Sequence, residues 1–251
     1  MKTAAIFALM LLTTTVTRAQ RPTADKIETS KGPLAIQPLN HATMALTWQG
    51  KTIYADPNGG AKTFEGVATP DLIVITDIHG DHFNLETLNA INTTNATLVV
   101  PQAVADKLPE GLKSKAVVLS NGETTSQNNI AITAVPMYNL PESADTRHPK
   151  GRGNGYVLTF GNKRLYISGD TSGIPEMRDL KDIDVAFVCM NLPYTMDINE
   201  ASQAVLDFKP KVIYPYHYRG QNGLADTEAF RKLVNDKDKN IEVRLRDWYR
   251  Q

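Results

Sequence analysis

The 251-residue chain holds one cysteine, Cys189, so no intramolecular disulfide can form. Net charge is absent as well, with 27 basic residues against 27 acidic ones. Without residues 1–19, which carry Lys2 and Arg18 and no acid, the balance becomes 25 against 27, a net charge of −2. Such a chain has no basic field to recruit nucleic acid or anionic membrane, and no nucleic-acid partner is expected. Long hydrophobic runs are missing too. The apolar stretch at residues 4–12 falls far short of the roughly 20 residues that span a bilayer, and no later stretch reaches that length.

The same stretch, preceded by Lys2 and followed by Thr17-Arg18-Ala19, reads as a secretory signal peptide over residues 1–19. No cysteine stands at the first position after the expected cleavage point, which excludes a lipid-modified N-terminal Cys, so the mature protein is expected free in the periplasm or outside the cell. Residues 20–33 are polar and aperiodic and read as a flexible leader, leaving 34–251 as one domain. Apolar residues make up 41% of the chain, enough to bury a substantial core. Cys189 sits inside the apolar run 185–190 and reads as an inert strand residue.

Strand-like runs at 35–38, 43–48 and 52–55 open the domain, followed by a continuous apolar run at 72–76 and a helical pattern at 85–91. Residues 98–100 and 102–108 repeat the strand-then-helix order. The second half begins with strands at 116–119, 130–135, 156–160 and 164–168, then alternates strand and helix from 185 to 245, with a helix from Asn199. This alternation indicates α/β layering. A weak internal similarity links residues 44–56 to 156–170, since both are apolar hairpins that end in an aspartate, Asp56 and Asp170.

The segment Thr76-Asp77-Ile78-His79-Gly80-Asp81-His82 places four metal-ligand side chains directly after a buried-type strand. Imidazole and carboxylate are the ligands of hydrolytic divalent ions, and alternate spacing lets one turn aim several of them at one point. Helix capping by Asp81 accounts for one of these residues and leaves the other three unexplained.

Asp77-x-His79-x-Asp81-His82 resembles the His-x-His-x-Asp-His signature of the metallo-β-lactamase superfamily, with Asp in place of the first His. His41-Ala42-Thr43, Asp56-Pro57, Ser168-Gly169-Asp170-Thr171 and Tyr214-Pro215-Tyr216-His217 are similar, in order, to motifs of one branch. That branch holds ascorbate-phosphate lactonases and N-acylphosphatidylethanolamine phospholipase D. The resemblance implies an αββα four-layer sandwich with two metal positions at one edge of the paired sheets. It implies that Asp81, His82 and His217 serve one position and that Asp170 bridges both. Asp77 and His79 would serve the other, with a third ligand where the family usually has His and this chain has Asn139.

One or two divalent ions are therefore expected, Zn²⁺ first, with Mn²⁺ favoured by the oxygen-rich first position. His148 is an alternative third ligand, but its setting in Arg147-His148-Pro149-Lys150-Gly151-Arg152 reads as a substrate rim. His148, Lys150 and Arg152 are assigned there together with His41 and Tyr194. Asp56 is a candidate for orienting a ligating histidine. An ion so held would activate water against a small ester, lactone or phosphodiester, with Asp81 or Asp170 orienting the water or passing a proton. The alternative is a catalytically weakened protein with one occupied metal position. Oligomerisation is left open.

Overall fold

In a computed structural model, which describes residues 23–249, the apolar runs form strands because both of their faces can be buried. Leu72 and Val74 point into one apolar cluster while Ile73 and Ile75 point into another. Val99 likewise parts from Leu98 and Val100. This period of two is the strand repeat, and burial on both faces explains the continuous rather than alternating hydrophobicity.

The first sheet orders β1 (Asp25–Thr29), β2 (Gly32–Asn40), β3 (Thr43–Trp48), β4 (Lys51–Ala55), β5 (Leu72–Val74), β6 (Thr97–Val100) and β7 (Ala116–Val118) side by side. Its first three pairings are antiparallel and its last three parallel. The second sheet takes β8 (Thr124–Gln127), β9 (Ile130–Met137), β10 (Gly153–Phe160), β11 (Lys163–Ile167), β12 (Val185–Cys189) and β13 (Val212–Tyr216). After the short hairpin β14 (Arg219–Gly220) and β15 (Gly223–Leu224), it ends on β16 (Glu242–Val243). It repeats the same sequence of three antiparallel and three parallel pairings. The hairpins β3–β4 and β10–β11 hold the same place in the two sheets, so the similarity between 44–56 and 156–170 is one of position as well as pattern.

Among the helices, α1 (Gly60–Thr63), α2 (Leu85–Ala90), α3 (Gln102–Ala105) and α4 (Glu110–Lys113) precede β7. Leu88, Val104 and Leu112 from three of them cover the first sheet's outer face through Tyr54, Ile73 and Leu98. After α5 (Pro175–Arg178), α6 (Ile198–Phe208) and α7 (Thr227–Asn235) bring Ala201, Val205, Phe208, Phe230 and Val234 against the second half of the chain. The inner faces meet in one core containing Ile36, Leu46, Ile53, Ile132, Leu158 and Phe187. The architecture is the expected αββα sandwich. No helix among the described residues is long and apolar enough to cross a membrane.

Three local readings change. The expected signal peptide lies outside the described residues, but part of the expected leader is β1, an edge strand tied down by Asp25, which bonds Tyr214 Oη at 2.8 Å and Arg246 at 2.5 Å. Strand β7 closes the first sheet rather than opening the second, because it pairs with β6. Helix α6 starts one residue before Asn199. Its N-cap is Asp197, whose carboxylate accepts the Glu200 amide at 2.7 Å. Cys189 is fully buried, and burial pushes its thiol up to about 11, as an inert core residue requires.

Candidate metal centre

Loops that leave the carboxyl ends of parallel strands in both sheets meet at one edge of the sandwich, where α/β folds place their sites. The loop after β5 carries Asp77, His79, Asp81 and His82; Asp170 follows β11, and His217 follows β13. Asp56 follows β4, and His41 occupies the β2–β3 turn. His41, Asp56 and His217 all have positive φ, at 53°, 43° and 47°. That region is uncommon for non-glycine residues, although Asp and His enter it more readily than most, and such positions are enriched at functional sites.

Two groups of donors result. In one, Asp81, His82, Asp170 and His217 bring one ligand atom each within 4.8 Å of one another. His82 Nε2 lies 3.4 Å from Asp170 Oδ2, and His217 Nε2 lies 3.3 Å from Asp170 Oδ1, 3.4 Å from Asp81 Oδ2 and 3.1 Å from His82 Nε2. Atoms held about 2.1 Å from one centre in a tetrahedron sit about 3.4 Å apart, so these spacings suit a shared cation. In the other group, Asp77, His79 and His148 satisfy the same limit. His79 Nδ1 is 2.6 Å from Asp77 Oδ2, and His148 Nε2 is 3.3 Å from Asp170 Oδ2. His79 Nδ1, His148 Nε2 and Asp170 Oδ1 are buried and make no hydrogen bond of good geometry, although each has an oppositely charged group beside it. Donors crowded together in this way are costly to bury, and a divalent ion between them would lower the cost.

Charge points the same way. Although desolvation opposes it, the His217 and His82 imidazoles hold Asp170 well below the usual carboxylate range. Asp81 is held down likewise by hydrogen bonds from His217 and His41 against its own desolvation. Burial would lower the pKa of His82, but the Asp170 and Asp56 carboxylates raise it well above 6.5. The cluster is thus rich in buried negative charge and draws in a positive one.

Support from outside the donor ring fixes its orientation. Asp56, wholly buried, accepts from Thr76 N at 2.7 Å, Thr76 Oγ1 at 2.7 Å and His82 Nδ1 at 2.9 Å. A carboxylate only accepts, so His82 carries a proton on Nδ1 and turns Nε2 towards Asp170. His41 Nε2 donates to Asp81 at 3.3 Å, while its Nδ1 accepts from the Tyr249 hydroxyl at 2.7 Å. Burial keeps the His41 pKa below 6.5 despite Asp81.

The expected third ligand is displaced. Asn139 Oδ1 accepts from His148 N at 2.9 Å and from His148 Nδ1 at 3.0 Å, and its amide donates to Tyr194 O at 2.9 Å. Its side-chain oxygen and backbone amide tie the two ends of the β9–β10 loop together, and the loop carries the fully buried His148 into the donor group. His148 is therefore no rim residue. Lys150 and Arg152 do not line the cleft either, since carboxylates within reach neutralise them. Lys150 pairs with Glu176 at 3.0 Å and Arg152 with Asp77 at 3.2 Å.

The cleft of about 360 Å³ over the first donor group is lined by His41, Asp81, Arg147, Asn191, Tyr194 and Arg219, among others. Arg147 stacks 4.6 Å over the Tyr194 ring and Arg219 4.4 Å over Tyr249. Arg219 stands two residues after His217, a closeness that the sequence displays; Tyr249 gives no local signal.

A two-sheet αββα sandwich with clustered imidazoles and carboxylates at its strand ends defines a metallo-β-lactamase-fold protein. Residues 35–217 match the beta-lactamase superfamily domain, and the chain belongs to that family. It is 30% identical to a UPF0173 metal-dependent hydrolase of Pyrococcus abyssi over 82% of this chain and 94% of the relative. A crystal structure of a metal-dependent hydrolase from Parabacteroides distasonis is 36% identical with a TM-score of 0.80, covering 90% of this chain and 99% of that one. The fold is also that of a metallo hydrolase from Ignicoccus hospitalis, 23% identical, with a TM-score of 0.71 over 85% of this chain and 95% of that one. Fold, family and relatives make the chain a hydrolase of a metal-dependent family.

Proposed function

We propose that the chain is an exported hydrolase of small esters, lactones or phosphodiesters, with an essential divalent ion, Zn²⁺ before Mn²⁺, held by Asp81, His82, Asp170 and His217. The observation that carries this reading is the convergence of those four donors, of which Asp81, Asp170 and His217 line an open cleft while His82 is fully buried. A bound divalent ion supplies Lewis acidity and a nucleophile drawn from water at neutral pH. Asp170, 3% exposed, lies beside His82 and His217 of one donor group and His148 of the other.

Asp81 has a side chain 38% exposed towards the cleft and stays ionised, so it accepts a hydrogen bond from the attacking water rather than storing its proton. His41 and Tyr249 hold that carboxylate in place. Arg147 and Arg219, immobilised on aromatic rings beside the cleft, suit an anionic group on the substrate, which favours carboxylate- or phosphate-bearing esters and lactones. Export rests on the signal-like residues 1–19.

The test is turnover of a panel of lactones and aryl phosphodiesters by purified protein. Treatment with a strong chelator should abolish it, and Zn²⁺ or Mn²⁺ should restore it. Turnover that survives complete removal of metal refutes the reading.

A further inference from the structure

The two donor groups differ in one respect that the ligand residues do not explain. Arg152 places Nη2 3.3 Å from Asp77 Oδ1, 3.2 Å from Asp77 Oδ2 and 3.5 Å from His79 Nε2. Asp77 is fully buried, so the group formed by Asp77, His79 and His148 already holds a cation against its only carboxylate of its own. Among the described residues no guanidinium or ammonium touches Asp81 or Asp170, whose side-chain ion-pair partners are imidazoles.

Arg152 is not a mobile surface side chain. The next residue, Gly153, lies so close to the loop after β5 that a Cβ there would come 2.9 Å from Thr76 O and 3.3 Å from Asp77 Oδ1. Asn154 N then donates to Thr76 O at 2.9 Å. The backbone on which Arg152 stands is thereby fixed against the loop that carries Asp77.

From this arrangement we infer that Arg152 makes the metal centre asymmetric: it is a positioning residue whose charge stands in for an ion on Asp77. The chain then binds one divalent ion tightly at Asp81, His82, Asp170 and His217, and a second only weakly at Asp77, His79 and His148. Two effects act together. The guanidinium satisfies the Asp77 carboxylate and repels an incoming dication. As a group that only donates, it also faces His79 Nε2 and favours the lone pair on that nitrogen, which leaves the ring proton on Nδ1 beside Asp77. The inference rests on the metal-binding reading proposed above.

The experiment is a Zn²⁺ titration of the chelator-stripped full chain against a competing fluorescent chelator, read as ions per chain and affinity for each. Wild type should show one tight ion and a second at least about tenfold weaker. R152M should tighten the second step by about 10- to 100-fold, the span typical of changes next to metal ligands. R152K, which keeps the charge, should leave the asymmetry largely in place. Two ions of equal affinity in wild type, or an R152M isotherm that overlays the wild type, overturns the role given to Arg152 and leaves the proposed function standing. No tight ion in wild type overturns both. If R152M does not fold, R152Q removes the same charge and reads the same step: a second step tightened as for R152M supports the role, and an isotherm that overlays the wild type overturns it.

Discussion

Replacing Asp56 by Asn isolates the orientation of one imidazole from the rest of the centre. Asp56 is wholly buried and accepts three hydrogen bonds, from Thr76 N, Thr76 Oγ1 and His82 Nδ1, at 2.7, 2.7 and 2.9 Å. In D56N the amide oxygen keeps the Thr76 N–H, because the reverse orientation would set two donors against each other. The NH₂ group then faces His82 Nδ1, which must become an acceptor, and the ring proton moves to Nε2, the atom 3.4 Å from Asp170 Oδ2. A protonated Nε2 cannot ligate.

The loss expected for such a supporting contact is 10- to 100-fold in metal affinity, or about 1.4–2.7 kcal/mol. The metal-free fold should suffer less, about 1 kcal/mol for one charge-assisted hydrogen bond made neutral. D56A, by contrast, strands the buried Thr76 amide and should cost about 1–3 kcal/mol of stability as well. Chelator competition for affinity and urea unfolding of stripped protein separate the two. D56N that folds normally and binds Zn²⁺ as tightly as wild type refutes the orientation argument.

Three further outcomes follow from the same structure. Substituting Arg147 and Arg219 together by Ala should raise KM for anionic esters about tenfold or more and leave kcat and neutral esters nearly unchanged; equal effects on neutral substrates would contradict the anion role. G153A should destabilise the protein by about 1–3 kcal/mol, because the added carbon meets Thr76 O and Met137; an unchanged urea midpoint would show that the strand has room to shift. Asp184, though desolvated, has its pKa depressed below 3.8 by Lys211, the Arg164 amide and Lys163, which approach to 2.8, 3.0 and 3.3 Å. Its stabilising contribution is thus present above pH 3.8 and fades as pH falls through the lower folded value. D184N should therefore be less stable than wild type at pH 7, and the gap should close on acidification below pH 3.8; a gap independent of pH would contradict the linkage.

The sheets were legible because their strands bury both faces, which leaves β-branched runs such as 72–76 with no other reading. Donors at the ends of those runs were legible for the same reason: Asp77 to His82, Asp170 and His217 stand directly after apolar strands. The edge strands β1 and β8 were not. β1 depends on Asp25 meeting Tyr214 and Arg246, partners that no local window contains. The exchange between Asn139 and His148 stood only as an alternative, because it turns on how one loop closes. Asn139 has the sequence position of a ligand, but its side chain binds the backbone and ring of His148 and sends that imidazole inward. Lys150 and Arg152 failed as rim residues because basic side chains go to the nearest carboxylate, and Glu176 and Asp77 are brought near them only by folding.

Anomalous diffraction from crystals grown with Zn²⁺ bears most directly on the centre itself. The account predicts a strong peak about 2.1 Å from Asp81, His82, Asp170 and His217. A Zn²⁺-soaked crystal with no peak among these four residues, or with its strongest peak elsewhere in the molecule, would contradict it.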